Sequence, residues 1–455
     1  MNGPARQLLA HGLGGSTDLP IPFSYTVVAA AWALSISFVI LVFAWRTPRL
    51  RADSVGRRVP QWINTVVTSA AFRNAMAALG LAFTGWVALA GFLGPRSASH
   101  NALPGTFYVL LWVGVVALSV LFGPVWKLIS PARAVRRLLD RGKRFEVRRS
   151  SATYPERFGY WLAVIGLFGF AWVELVSPDP GSVTAIIAWC VVYLVVTVGG
   201  AIRYGATWCE RADPFEVYST LVSRISFVGP GNRPGIYVLR LPLNNLQATK
   251  IRAGSVALAA TLLGSTAFDS FSAQAAWHRF VDSASARLAP IDATVASTAV
   301  RSVGLIMMIV LVGGTFWLAA QAVPALSRAE RRKLPGLLSP SLTPIIVGYV
   351  FAHYLSYLVE KGQSTIQLLF DPFDRGWNVF GLKDHGVAYI LSAHPALLAT
   401  IKVTCVLTGH ILGVMAAHDR SLRLLPQRQQ LSGQLALLLT MVFYTCGGLY
   451  LLFQA

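Results

Sequence analysis

Long apolar stretches alternate along the chain with short polar segments. A helix needs about 20 apolar residues to cross the hydrocarbon core of a bilayer, and ten stretches meet that length. They lie near residues 24–45, 74–93, 104–126, 158–176, 183–202, 254–271, 299–323, 342–360, 395–417 and 434–453. The pattern therefore predicts an all-α, polytopic membrane helix bundle of about ten transmembrane helices.

Lysine and arginine are concentrated in every second gap between these stretches. Five gaps hold 30 of the 39 Lys and Arg residues: 46–73, 127–157, 203–252, 324–340 and 418–432. Basic loops remain on the cytoplasmic side of a membrane, so the pattern places these five loops in the cytoplasm and both termini outside. The longest external loop is then 361–394. We expect residues 1–455 to form a single integral membrane domain in the plasma membrane.

Composition agrees with this class. Apolar residues make up 55% of the 455 residues, charged residues 13%, and mean hydropathy is +0.56, whereas soluble domains carry about 25% charged residues. The net charge of +20 does not indicate nucleic-acid binding, because the excess lies in short loops beside apolar spans. Those loops suit the anionic lipid headgroups of the cytoplasmic leaflet. The four cysteines show no CxxC spacing, so neither a disulfide framework nor a zinc finger is indicated.

Two of the basic loops contain sequences that are typical of helix starts. Asp213 is a good N-cap, Pro214 suits the first helical position, and Glu216 can return to the cap amide as in a capping box. Ser130-Pro131 opens a similar arginine-rich segment. We expect a helix lying in the headgroup plane after Asp213. The alternative is that both segments are solvated helices with a structural role.

One predicted span carries a polar stripe. Tyr349, His353, Tyr357 and Glu360 fall at positions i, i+4, i+8 and i+11, which share one helical face. A polar stripe on an apolar span should face the bundle interior, where His353 can relay protons or ligate a metal. The alternative is a hydrogen-bonded core histidine.

Two carboxylates lie near the outer ends of spans. Asp269 belongs to the sixth span and Glu174 to the fourth, and the sequences 262–269 and 167–174 resemble each other weakly. Internal repeats are common in transporters, and a charge in the membrane costs roughly 2.5–3.5 kcal/mol on insertion scales. Both acids are therefore candidates for lining a polar cavity. The alternative is that each marks the point where its helix leaves the lipid.

The ninth span contains two further histidines. His410 should be buried in its inner half, as a functional or a core residue, and His418 with Asp419 lies at its cytoplasmic end with a mainly structural role. Gly409 and Gly413 permit close helix packing there.

External segments hold more polar residues. Loop 361–394 contains Asp371, Asp374, Asp384, His385 and His394, which gives either a lid or metal-capture loop or a solvated loop. His11 lies in the N-terminal segment. The sequence contains no Walker A motif, HExxH, GxSxG or paired SxxK, so ATP-driven transport and the usual serine or zinc hydrolase sites are not indicated.

Several of these motifs together resemble a bacterial family of multi-pass membrane proteins, some of whose members are labelled fenitrothion hydrolase. The motifs are His11-Gly12-Leu13 with Asp18-Leu19-Pro20-Ile21-Pro22, Glu210-Arg211-Ala212-Asp213-Pro214-Phe215, Ser265-Thr266-Ala267-Phe268-Asp269, Ala352-His353-Tyr354, Gly409-His410 and Ala417-His418-Asp419. The resemblance implies a bacterial cytoplasmic membrane, and the label implies hydrolysis of an organophosphate ester. It assigns no catalytic residue.

Three functions follow as hypotheses. The first is a transporter or channel-like protein with an outward-facing polar cavity, lined by Asp269, His353, Tyr357 and Glu174 and continued inward by His410, that binds protons or a metal. The second is a membrane-embedded, metal-assisted hydrolase. It would hold a divalent metal ion on Asp269, His353 and a third ligand such as His11. The third is an assembly or structural subunit that docks a membrane protein partner.

Overall fold

The computed structural model describes residues 16–54, 56–141, 152–231, 235–288, 292–324, 326–382 and 384–453. Within these residues nine helical segments are long and apolar enough to cross a membrane, and the number is ten if one bent pair counts as a span. The nine are Phe23–Ala44, Ala70–Leu93, Ala102–Phe122, Glu156–Leu175, Val183–Tyr204, Ala293–Gln321, Arg328–Phe370, Pro395–Leu424 and Gln427–Phe453. The chain is an all-α, multi-pass membrane protein, as its hydropathy pattern predicts.

The α-helices are α1 (Phe23–Ala44), α2 (Gln61–Thr68), α3 (Ala70–Leu93), α4 (Ala102–Gly105), α5 (Val115–Phe122), α6 (Trp126–Ile129), α7 (Pro131–Arg141), α8 (Trp161–Leu175), α9 (Val183–Tyr204), α10 (Ala206–Ala212), α11 (Pro214–Val222), α12 (Pro242–Leu246), α13 (Ser255–Ser272), α14 (Ala275–Ala286), α15 (Ala293–Gln321), α16 (Arg328–Leu338), α17 (Thr343–Ser356), α18 (Gly362–Phe370), α19 (Pro395–Leu424) and α20 (Ser432–Phe453). Two π-helices, Thr106–Gly114 and Tyr357–Lys361, continue α4 and α17. Short 3₁₀ turns cover Ser16–Asp18, Glu156–Phe158, Ser223–Ile225, Ser339–Leu342, Val379–Gly381 and Gln427–Gln429.

Helix α17 lies at the centre of the bundle, because nearly all of its side chains are buried. Its most extensive partner is α19. A Cβ atom added to Gly348 would lie 2.5 Å from the carbonyl oxygen of Cys405, and one added to Gly409 would lie 2.7 Å from that of Pro344. Glycine therefore allows the two backbones to touch, as the sequence predicts for Gly409 and Gly413.

The outer helices present apolar side chains to the surroundings. Val195 on α9 and Met307 and Leu318 on α15 are largely exposed. A continuous apolar exterior of this kind is what a lipid-facing surface requires. The polar side chains of His353, Lys402 and His410 are buried inside the bundle instead.

A small sheet joins two of the basic loops. Strands β1 (Arg57–Arg58), β2 (Val228–Pro230) and β3 (Tyr237–Leu239) pair antiparallel in the order β1-β3-β2. The hydropathy pattern predicts no strand here, since two or three residues are too few to show alternation. We call the side of the bundle that carries loops 46–73 and 203–252 the basic side.

Helix α11 differs from its expected position. Asp213 does cap it, accepting from the backbone N–H groups of Phe215 at 3.0 Å and Glu216 at 3.3 Å. The helix is buried against α5, α8 and α17 rather than lying on a lipid surface. Glu216 does not form the expected capping box but binds Arg133 at 2.6 Å through both carboxylate oxygens. Burial alone would lower the pKa of Arg133, but this bidentate bond raises it.

Candidate functional site

A carboxylate and an imidazole meet inside the bundle. The Oδ2 atom of Asp269 lies 2.9 Å from Nε2 of His353 and accepts a 2.8 Å hydrogen bond from the hydroxyl of Tyr354. On its other side, His353 Nδ1 lies 3.2 Å from Oγ of Ser270. His353 is 5% exposed and the Asp269 side chain 11%. Helices α13 and α17 thus build a polar cluster with little contact with solvent.

The position of Asp269 follows from the geometry of its helix. It lies 14 residues after Ser255, where α13 begins, which corresponds to about 21 Å along an α-helix. That distance is about two thirds of a hydrocarbon core of roughly 30 Å. Helix α13 ends one turn later, and the chain bends by 88° into α14. By this measure the acid lies within the length of a membrane span, and it comes directly before a break in the helix.

A second acid and two tyrosines extend the cluster. The carboxylate of Glu174 on α8 is close enough to Asp269 for the two to interact electrostatically, and Tyr108 and Tyr357 interact with Glu174 in the same way. Each of these tyrosines belongs to a π-helix, and the two π-helices contact each other. π-Helical segments occur frequently at functional sites. We define the acid cluster as Asp269, Glu174, His353, Tyr354 and Tyr357.

The polar stripe of α17 divides into two parts. Tyr349 and His353 are buried, as a stripe facing the interior should be. Glu360 is also buried, but it accepts from the backbone N–H groups of Leu391 at 3.1 Å and Ser392 at 2.8 Å, as well as from the Ser392 hydroxyl. Its partners are therefore in loop 361–394, and it fixes that loop instead of facing His353.

His410 makes its hydrogen bond within its own helix rather than with the acid cluster. Its Nδ1 lies 2.9 Å from the carbonyl oxygen of Val406, one turn earlier in α19. A carbonyl only accepts, so Nδ1 carries the proton and Nε2 is left as an acceptor. Among the described residues, nothing hydrogen-bonds to this buried Nε2. His410 lines an apolar cavity of about 250 Å³ between α13, α15, α17, α19 and α20, which also includes Tyr349.

His418 and Asp419 have the structural position that the sequence predicts. His418 lies 2.8 Å from Oε1 of Gln434 and 2.9 Å from the carbonyl oxygen of Trp45. Oδ1 of Asp419 accepts from Nε1 of Trp45 and from the backbone N–H groups of Arg49 and Leu50, at 3.0, 2.5 and 3.1 Å. These contacts join the loop after α1 to α19 and α20 on the basic side.

Within the described residues, no group of three or more His, Cys, Asp or Glu side chains is close enough to hold a metal ion. In loop 361–394, Asp371 accepts from three backbone N–H groups, and Asp374 lies 3.0 Å from His100 at the surface. His11 lies outside the described residues. The 2.9 Å between Oδ2 of Asp269 and Nε2 of His353 is short enough for both atoms to bind one metal ion. In this structure, however, the two atoms contact each other. Metal binding by this pair, and the hydrolase hypothesis that needs it, stay predictions.

Sequence reasoning missed several residues of this site. Tyr354 lies next to His353 in sequence but off the predicted stripe, and a tyrosine in an apolar span gives no separate signal. Tyr108 was missed for the same reason, although its hydroxyl donates to the carbonyl of Pro180 at 2.8 Å. Ser270 follows Asp269 in the sequence, and a serine in a span gives no separate signal either.

Comparison with protein-family models, with curated proteins and with solved structures finds no match for this chain.

Proposed function

We propose that this protein is a proton-coupled membrane transporter in which Asp269 and His353 together bind the proton. The observation that carries the proposal is the 2.9 Å contact between Oδ2 of Asp269 and Nε2 of His353 within the bundle. Ionisable side chains inside membranes are costly, and they mark proton relays and transport pathways in pumps and transporters. Histidine is the side chain whose protonation changes most readily near neutral pH.

The hydrogen bonds define how one proton would be taken up. With Asp269 ionised, a neutral His353 donates from Nε2 to the carboxylate, and its Nδ1 accepts from the Ser270 hydroxyl. One added proton goes to Nδ1 and converts the pair into an imidazolium–carboxylate ion pair. Nδ1 then donates to Ser270, whose hydroxyl must turn. The cluster therefore has two protonation states that differ in one hydrogen-bond direction.

The second acid, Glu174, favours a role of the Asp269–His353 pair in transport rather than a purely structural role. Two carboxylates that interact in a low-dielectric site cannot both be charged at low cost, so Glu174 and Asp269 compete for protons. The Tyr354 hydroxyl donates to the same oxygen as His353 and stabilises the charged form of Asp269. A static pair would gain nothing from a neighbouring carboxylate.

The break after α13 supports a moving element. Broken helices next to a binding residue are a recurrent feature of secondary transporters. The described cavities of about 90 and 250 Å³ are lined by neither Asp269 nor His353. In our proposal the outward-facing polar cavity forms in another conformation, in which the α13–α14 bend moves. The transported substrate is not assigned.

The test is charge movement after a pH jump, measured on proteoliposomes adsorbed to a solid-supported membrane. Wild-type protein should show a rapid charge displacement, Asp269→Asn should lose it, and His353→Gln should shift its pH dependence. Asp282→Asn is the matched control, because Asp282 is an exposed carboxylate on α14. The proposal is wrong if the wild type gives no signal or if Asp269→Asn behaves like Asp282→Asn.

A further inference from the structure

A separate cavity of about 90 Å³ opens on the basic side, between the ends of α6 and α11 and the start of α13. Most of the charged side chains that line it are positive. Among the described residues that line it, four are bases, Lys127, Arg224, Lys250 and Arg252, and one is an acid, Glu210. A cavity walled by one sign of charge concentrates the opposite charge within it.

Arg224 is the more buried of the two bases, Arg224 and Lys250, that pair with no carboxylate among the described residues. It lies in the 3₁₀ turn that follows α11 and is half-buried. Among the described residues, no carboxylate pairs with it, and burial lowers its pKa below the ordinary value. A buried charge without a partner is costly, so a protein that retains one gains from an external counter-ion.

The other bases are only partly neutralised. The ammonium of Lys127 lies 3.9 Å from Glu210 and 4.0 Å from Glu216, and Glu216 already binds Arg133 at 2.6 Å. Arg252 lies 3.4 Å from Glu156, whose side chain is mostly exposed. Neither contact removes the positive charge of the cavity.

Neutral donors line the same space. In the described part of the chain, the buried Oγ1 of Thr249 has no hydrogen-bond partner. Helix α13 begins beside the cavity after Gly254, without a side-chain cap. The free N–H groups of a helix N-terminus favour a negative charge. Arg224, which lacks a carboxylate partner, and the Thr249 hydroxyl, which lacks a hydrogen-bond partner among the described residues, both indicate an anionic ligand. They do so independently of the helix N-terminus.

We propose that this cavity binds a phosphate group, presented by a lipid headgroup or by free phosphate. The planar fork of Arg224 matches two phosphate oxygens, Lys250 supplies a further charge and Thr249 donates a hydrogen bond. The volume is several times the roughly 10–15 Å³ that one water needs, which suits a small tetrahedral anion. This site is separate from the acid cluster and does not depend on its role.

The experiment measures thermal unfolding of the full chain in phosphatidylcholine nanodiscs, with three additions. They are inorganic phosphate, phosphatidic acid in the disc and phosphatidylglycerol in the disc. We compare the wild type with Arg224→Gln and Lys250→Gln, and use Arg332→Gln as control because Arg332 is an exposed base on α16. Lys250 is itself exposed, so its variant should fold even if the Arg224 variant does not.

Two results are expected. At least one phosphate source raises the unfolding midpoint of the wild type and of Arg332→Gln. Arg224→Gln weakens that apparent affinity by about tenfold or more, because at least one charge-assisted hydrogen bond is lost. Without phosphate, Arg224→Gln is at least as stable as the wild type, because it removes an uncompensated charge. A response to inorganic phosphate assigns the free anion, and a response to lipid alone assigns a headgroup. No response to any source, or equal responses of Arg224→Gln and Arg332→Gln, overturns the proposal.

Discussion

His353 and His410 lie on α17 and α19, the two helices that pack most extensively, and both are buried. Their partners differ completely. His353 has a carboxylate on one nitrogen and a hydroxyl on the other. His410 has a carbonyl of its own helix on one nitrogen, and its other nitrogen faces an apolar cavity. The comparison shows that burial of a histidine in a span says little about its chemistry, which depends on the groups around both nitrogens.

The largest expected effect comes from removing the acid that distinguishes the two histidines. Asp269→Ala leaves His353 and Tyr354 without their shared acceptor, so the free energy of unfolding should fall by about 3–5 kcal/mol, as for other broken buried pairs. Steric trapping in bicelles measures it. Asp282→Ala, at an exposed site, should stay near the wild type. A change below that of the control variant would mean that the pair does not stabilise the fold.

The comparison itself is tested by replacing each histidine with leucine. His353→Leu leaves Asp269 and Ser270 without their partner, and we expect a loss of about 2 kcal/mol. His410→Leu removes a buried acceptor that has no partner among the described residues, so stability should change by less than about 1 kcal/mol or rise. Denaturant unfolding of both variants checks this. Equal losses would show that the two sites are energetically alike.

A smaller effect is expected where the two helices touch. Gly409→Ala would bring a Cβ atom to 2.7 Å from the carbonyl oxygen of Pro344 and push α17 away, at a cost of about 1–2 kcal/mol. Gly447→Ala is the matched control, since its Cβ would meet nothing within 4 Å. That variant should be neutral or slightly more stable, because alanine favours a helix over glycine. If both variants behave alike, close contact at Gly409 does not limit the packing.

The smallest effect should come from an exposed ion pair, which gives a reference for the buried one. A 2.7 Å hydrogen bond from Arg211 lowers the pKa of Glu156. Its contribution to stability is therefore present above the pKa of the unfolded chain and is lost as pH falls through the lower folded value. Glu156→Gln should remove this part of the pH dependence and change little at neutral pH. Unfolding midpoints across the acidic range would show it, and an unchanged profile would contradict it.

The spans could be predicted because a bilayer demands long apolar helices, and the burial of Tyr349 and His353 follows from helical periodicity. The bend after α13 could not, because Ser272 and Ala273 carry no Pro or Gly signal for a break. The same holds for the π-helices, whose sequences read as ordinary apolar helix. Asp269 and Glu174 were recognised by the cost of charge in lipid, and the first hypothesis placed both at one cavity. Their meeting depends on how α8 packs against α13, which sequence periodicity does not specify.

The expected interfacial helix after Asp213 shows a second limit. Its cap and its apolar face were read correctly, but a helix with one apolar face can pack against lipid or against protein. The helix packs against α5, α8 and α17, and its Glu216 binds Arg133, which lies 83 residues away in the chain. Pairing of two charges at that separation leaves no local pattern, so the burial of α11 was not predictable from one sequence.

The carboxylate of Asp419 has a consequence for biosynthesis. Its acceptor oxygen satisfies the N–H of Leu50, which precedes it by 369 residues. A ribosome completes the first loop long before this acceptor exists, so that loop cannot adopt its final shape during early insertion. These contacts of the loop form only after residue 419 has been synthesised, so we expect a chain truncated before it to have a loop that proteases cut more readily.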